Sequence, residues 1–165
     1  MVMDKFSKKK RSSIMRSIKS EHTKPEMIVR SGLHKNGYGF RLHRKDLPGT
    51  PDIVMAKYGI AIFVNGCFWH QHGCDRTSVP KTHKKFWSDK FDKNVARDAR
   101  NHAKLKEMGW EVLVIWECDI LKDIDEEISR IAEVAERRSR EKFSVRYAKK
   151  TQRVTAKKRK KSSRR

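Results

Sequence analysis

The most constraining feature of the 165-residue chain is a helical pattern set between two short apolar runs. Those runs lie at 60–64 (Ile-Ala-Ile-Phe-Val) and 111–116 (Glu-Val-Leu-Val-Ile-Trp). From about His83 to Met108, Trp87, Phe91, Val95, Ala99, His102 and Leu105 recur every three or four residues, and Gly109 follows as a stop. A helix joining two strands of one sheet is a crossover, so the strands run parallel and end on the same edge. Whatever follows position 64 and position 116 should therefore meet there.

The rest of the pattern fills in around that unit. Thr23-Lys24-Pro25-Glu26 spells a capping box with a first-turn proline, predicting a helix to about Lys35 on Met27, Ile28, Val29 and Leu33, stopped by Asn36-Gly37. Val29 is the less well placed of these four. A shorter helix is expected at 12–18 on Ile14, Met15 and Ile18. Strands are predicted at 38–43 and 52–56, the second in a hairpin with 60–64. Segment 111–116 reads as a strand buried on both faces. A last amphipathic helix at 120–135 offers Ile124, Ile128, Ile131 and either Val134 or Ala135 to a core. Residues 66–82 fit no regular pattern. The sum is an α/β fold with a small mixed central sheet flanked by helices.

Charge narrows the partners. Lys and Arg number 41 against 20 acids, a formal +21. Residues 142–165 hold 12 Lys and Arg and no acid, leaving the first 141 residues with 29 against 20, still +9. A basic body and a basic tail point to a polyanion. No apolar run nears the roughly 18 residues of a membrane span, and three cysteines, an odd number, argue for a reducing compartment. A cytoplasmic, nucleoid-associated protein is expected.

Cys67, His72 and Cys74 follow the first crossover strand, and Cys118 follows the second. Thiolates and an imidazole at one sheet edge suit a closed tetrahedral Zn²⁺ site, which would be structural. His70 and His83 are rival ligands, and three buried thiols beside a surface histidine are the alternative. The turn Leu47-Pro48-Gly49-Thr50-Pro51 delivers Asp52 to the start of a strand. An ordinary turn explains such residues; Asp52 beside His70 would instead supply a Mg²⁺ ligand and a base against a phosphodiester. Phe68-Trp69 and Phe86-Trp87 are adjacent aromatic pairs. At least one of Phe68 and Trp69 should be exposed, where it can stack on bases, with Lys81, Lys84, Lys85, Lys90, Lys93, Arg97 and Arg100 flanking as phosphate contacts.

Together these residues resemble the very short patch repair DNA mismatch endonucleases. The resemblance runs from Met15-Arg16-Ser17-Ile18 to Trp116-Glu117-Cys118 and is sharpest in Gly66-Cys67-Phe68-Trp69-His70. It also takes in Lys93-Asn94-Val95-Ala96-Arg97-Asp98 and Gly109-Trp110-Glu111-Val112-Leu113. It implies a restriction-endonuclease-like core that nicks one strand 5′ to the thymine of a T:G mispair left by 5-methylcytosine deamination. By matching position, Asp52 is the Mg²⁺ carboxylate, the Val64 carbonyl a second Mg²⁺ ligand and His70 the general base. Glu26 and Asp98 match acids that support cleavage, Cys67, His72, Cys74 and Cys118 match zinc ligands, and Phe68, Trp69 and Trp87 match aromatics that wedge into DNA.

The same resemblance implies mismatched double-stranded DNA as partner, admits mismatch-repair proteins, and suggests a monomer. Asn65 departs from the pattern, standing where the best-known members carry histidine, which predicts weaker activity or a simpler pH profile. The expected organisation is a basic flexible N-terminus at 1–11, the endonuclease domain at 12–138 and a basic disordered tail at 139–165. Two rival functions stay open: a nuclease of this fold restricting matched DNA, and a non-catalytic zinc-stapled DNA-binding module.

Overall fold

The computed structural model describes residues 9, 13, 21–77, 79, 80 and 83–141. Apart from Ser13, the helix expected at 12–18 lies outside these residues, as does the tail from 142 onward.

Thr23 caps the first helix, α1 (Lys24–Lys35), through the reciprocal box with Glu26. Its buried face is Glu26, Val29, Arg30 and Leu33, at positions i, i+3, i+4 and i+7. Met27 and Ile28, expected on that face, are instead exposed. Two charged residues thus occupy inward positions that apolar counting assigns elsewhere.

β1 (Arg41–Leu42), β2 (Ile53–Met55), β3 (Ile60–Asn65) and β4 (Glu111–Trp116) form one sheet in the order β1-β2-β3-β4. β1 and β2 pair antiparallel, β2 and β3 form the expected antiparallel hairpin, and β3 and β4 are parallel. The strand expected at 38–43 shrinks to two residues, because His43 takes a left-handed φ of 45° that leaves the extended region. That expected at 52–56 loses its ends, since Ala56 enters the turn closed by the Tyr58 N–H and the Met55 carbonyl.

The crossover is α3 (Lys84–Glu107), following a one-turn helix, α2 (Cys67–His70), inside the segment that had no readable pattern. Beyond β4, Asp123 splits the expected last helix into α4 (Glu117–Lys122) and α5 (Ile124–Arg140). Its carboxylate caps α5 by accepting from the Asp125 and Glu126 N–H groups, both at 3.0 Å.

Strand alternation divides the core between the two faces of the sheet. Ile53, Met55, Ile60, Ile62, Leu113 and Ile115 pack beneath Val29 and Leu33 of α1 and Ile120, Ile128, Ile131 and Ala135 of α4 and α5. Val54, Ala61 and Phe63 face the other way, against Leu47, Leu105 and Trp110. α1 approaches α5 so closely that a Cβ on Gly32 would lie 2.7 Å from the Ile128 side chain. β4 is an edge strand, so Leu113 and Ile115 are buried while Val112 and Val114 are half-covered, short of the two-sided burial expected.

α3 corrects the sequence reading most. Phe91 and Leu105 are buried at its two ends, but Val95 is exposed by 47% and Ala99 is also exposed. Its inward line runs Phe91, Asn94, Asp98, His102 and Leu105, because the middle of the helix spans a polar site and only its ends meet apolar core. No helix among the described residues is long and apolar enough to cross a membrane.

Candidate active site and cysteine–histidine centre

The parallel pairing ends with Asn65 opposite Trp116. Both strands then lead into short helices, which places Cys67 and Cys118 at equivalent positions, each two residues past that last pair. The three sulfurs of Cys67, Cys74 and Cys118 and one imidazole nitrogen of His72 all lie within 4.8 Å of one another. Cys118 Sγ is 3.5 Å from His72 Nε2. Bond lengths of about 2.3 Å to sulfur and 2.05 Å to nitrogen, at the tetrahedral angle, require a separation of about 3.6 Å. The donor set therefore fits a four-coordinate Zn²⁺. The His72 ring is fixed by stacking on Trp116, at 3.9 Å and 11°. Burial and the neighbouring sulfurs of Cys67 and Cys74 push the Cys118 thiol up to about 12. The two rival ligands fall away: His83 lies outside the group, and His70 is engaged elsewhere.

At the same sheet edge, lined by Val64, Asn65 and Glu117, is an open cavity of about 560 Å³. Glu26, Asp52, Val64, Asn65, Trp69, His70, Lys90, Asn94 and Arg97 are among its walls. Asp52, delivered by the Leu-Pro-Gly-Thr-Pro turn, accepts from the Val64 N–H at 2.8 Å through Oδ2. Burial raises its carboxyl to about 7, against the pull of that N–H and with a further push from Glu26. Asp52 is half-buried, and one ligand atom each from Glu26, His43 and Asp52 lies within 4.8 Å of the others, so the oxygen donors here fit a hard cation such as Mg²⁺.

His70 Nδ1 lies 2.6 Å from Asp98 Oδ2. With Nδ1–H donated to that carboxylate, Nε2 is left as the acceptor. Asp98 is itself held by Arg97, whose Nη2 is 3.0 Å from Oδ1. Asn94 donates to the Trp69 carbonyl at 3.2 Å, tying α2 to α3 so that the His70–Asp98 contact keeps its register. Gly49, at φ 76°, packs so tightly on α3 that a Cβ there would lie 3.0 Å from Asn101, so the turn bearing Asp52 is seated on the helix bearing Asp98.

Phe68, Trp69 and Trp87 form one cluster. Phe68 meets Trp69 edge-on at 5.0 Å and Trp87 at 5.5 Å, and Trp69 lies 6.2 Å from Trp87. Phe68 and Trp69 are both half-buried, and neither is exposed as adjacency in an irregular loop had predicted, because the α2 turn lets them fold onto each other and onto Phe91. Among the described residues the aromatic standing furthest into solvent is Phe86, 59% exposed and 5.4 Å from Trp87.

Sequence reasoning did not single out Arg30, His22 or His43. Arg30 Nη2 binds Glu26 Oε2 at 2.6 Å, and the Arg30 nitrogens each lie 2.8 Å from a histidine, Nη1 from His22 and Nη2 from His43. Only the i, i+4 spacing of Glu26 and Arg30 signals any of this in advance. His22 and His43 sit in loops where neither period nor spacing points to them.

The family model for the DNA mismatch endonuclease Vsr matches residues 3–76. Over 117 residues the chain is 50% identical to the Type II nicking enzyme V.XorIIP of Xanthomonas oryzae pv. oryzae, covering 71% of this chain and 86% of that protein. It is 42% identical over 117 residues to the Type II nicking enzyme V.NmeAIP of Neisseria meningitidis serogroup A, covering 71% and 84%. It is 44% identical over 115 residues to the DNA mismatch endonuclease Vsr of Escherichia coli, covering 70% and 74%. A mixed sheet with flanking helices, an acid and an acid-paired histidine lining one cavity, and relatives of this closeness lead to one conclusion: the chain belongs to the Vsr family of DNA mismatch endonucleases.

Proposed function

We propose that this protein is a Mg²⁺-dependent endonuclease that nicks one DNA strand 5′ to the thymine of a T:G mispair arising from 5-methylcytosine deamination. The observation that carries the reading is the convergence of Asp52 and His70, the latter paired with Asp98, on one open cavity beside exposed Arg97 and Lys90. Relatives named as nicking enzymes and a mismatch endonuclease support a single-strand cut over restriction of both strands. A half-buried carboxylate lining one cavity with an acid-paired histidine favours a catalytic site over a non-catalytic module.

Held by Asp52 and the Val64 carbonyl, Mg²⁺ would supply charge neutralisation at the scissile phosphate. The protein's own groups do the rest. His70 Nε2 takes the proton of the attacking water, and Asp98, on Nδ1, orients the ring and stabilises the imidazolium that results. Glu26 supports the Asp52 side of the cavity. Lys90 and Arg97 hold the backbone phosphates. Phe68, Trp69 and Trp87 wedge beside the mispair, where stacking is already weak and opening costs least. Cys67, His72, Cys74 and Cys118 hold Zn²⁺ as a staple. It ties α2, which carries His70 and the wedge, to the start of α4.

The test is nicking of matched and mismatched duplexes by the full chain, with strand-specific mapping. Asp52→Ala and His70→Ala should abolish or cripple cleavage while leaving binding within a few-fold. Cleavage of T:A and T:G duplexes at equal rates would refute the mismatch reading, and full activity of Asp52→Ala would refute the site.

A further inference from the structure

Glu26 is 2% exposed and yet fully partnered. Oε1 accepts from the Thr23 N–H at 3.2 Å and its hydroxyl at 2.9 Å; Oε2 accepts from the His22 N–H at 3.0 Å and Arg30 Nη2 at 2.6 Å. Two donors on each oxygen use the four lone-pair sites of a carboxylate. Glu26 is thus occupied in holding Arg30. Arg30 in turn presents a nitrogen to His43 Nε2 at 2.8 Å. A guanidinium can only donate, so Nε2 accepts and the His43 proton sits on Nδ1. That nitrogen is 4.0 Å from Asp52 Oδ1, the carboxylate oxygen that the Val64 N–H does not use.

His43 is also held where few side chains go. Its φ of 45° and that of His22, 57°, are left-handed, and the two rings meet edge-on at 5.0 Å. Left-handed backbone is uncommon at non-glycine residues and gathers at functional sites. Glu21, His22 and His43 also bring ligand atoms within 4.8 Å of one another, but Arg30 holds a nitrogen of each ring and places a fixed positive charge there, which disfavours a cation.

We propose that His43 is a positioning residue for Asp52: Glu26 fixes Arg30, Arg30 fixes the His43 tautomer, and the His43 Nδ1–H sets the orientation of the Asp52 carboxylate toward its divalent cation. This rests on the reading of Asp52 as the cation ligand. Groups hydrogen-bonded behind a metal ligand typically contribute 10–100-fold in metal affinity or activity. At 4.0 Å the contact is a dipole directed at a charge rather than a formed hydrogen bond, so the lower end applies.

The experiment is Mn²⁺ binding to the full chain, followed by electron paramagnetic resonance without DNA, on wild type, Asp52→Ala, His43→Gly and His43→Asn. Glycine removes the donor and adopts the left-handed backbone without strain. Asparagine tolerates that backbone and carries an N–H at the place of Nδ1. The expected result is Mn²⁺ affinity about tenfold weaker in His43→Gly and largely restored in His43→Asn, with half-saturating Mg²⁺ for nicking moving in parallel and the maximal rate little changed. Affinity in His43→Gly within twofold of wild type, while Asp52→Ala loses binding, overturns the role of His43 alone. Equal weakening in both His43 variants also overturns it, because the donor would then be irrelevant. Undiminished binding in Asp52→Ala overturns the site reading and this inference together.

Discussion

Asp52→Asn should stabilise the Mg²⁺-free protein, although it destroys the nuclease. In the folded chain burial raises the Asp52 carboxyl from 3.8 to about 7, with the Val64 N–H and Arg30 opposing the shift and Glu26 adding to it. The folded state therefore holds this proton more tightly than the unfolded state. Stability declines as pH rises through the window between those values, and above about 7 the full penalty is present. About three pKa units at 1.36 kcal/mol each give roughly 4 kcal/mol, and water entry on ionisation brings the expectation to about 2–4 kcal/mol. Asparagine has the same shape and keeps an oxygen for the Val64 N–H. At pH 8 without Mg²⁺ its urea midpoint should rise accordingly, and at pH 4 the two proteins should converge. Added Mg²⁺ should raise the wild-type midpoint and leave the variant's in place. A variant no more stable than wild type at pH 8 would refute the argument.

Other consequences are as direct. Protein purified without chelators should contain about one Zn²⁺, and Cys118→Ser should lower that content and loosen segment 66–82 to proteolysis, although residue 118 is remote in sequence. Trp69→Ala and Trp87→Ala should erode the preference for T:G over T:A duplexes by about 1–3 kcal/mol per aromatic removed, read as competing nicking rates. Gly49→Ala should lower the nicking rate with little change in duplex affinity, since a Cβ 3.0 Å from Asn101 must push the Asp52 turn away from α3. Deleting residues 142–165 removes 12 positive charges without base information. It should weaken binding to matched and mismatched duplexes alike and reduce the salt slope by up to roughly 0.9 for each phosphate that the tail neutralises. An unchanged slope would show that the tail neutralises none.

The long-range geometry was legible because it follows from pattern and handedness. An amphipathic segment between two β-branched runs implies a parallel crossover, which brings Cys118 to Cys67 and Cys74 across the sheet edge. Thr23 and Glu26 announced the start of α1 because a capping box is local chemistry. The inner face of α3 was misread at Val95 and Ala99 because apolar counting assumes apolar surroundings. The middle of that helix faces a polar cavity, so Asn94 and Asp98 take the inward positions. The same failure hid Arg30, which is buried with its two Nη atoms held by Glu26 and two histidines while its Nε has no partner. His43 was invisible because its role depends on a left-handed backbone and on partners 13 and 17 positions upstream. The α2 turn was lost among the cysteines and histidines, since four residues are too few to show a period.

The central claim is tested most directly by mapping cleavage on a duplex with a single T:G mispair, labelled on each strand in turn, with Mg²⁺ supplied to wild type and Asp52→Asn. The account predicts one nick, on the thymine strand and 5′ to the mispaired base, no cut in the opposite strand, and none from Asp52→Asn although it binds the duplex. Cuts in both strands, or equal nicking of a T:A duplex, would contradict it.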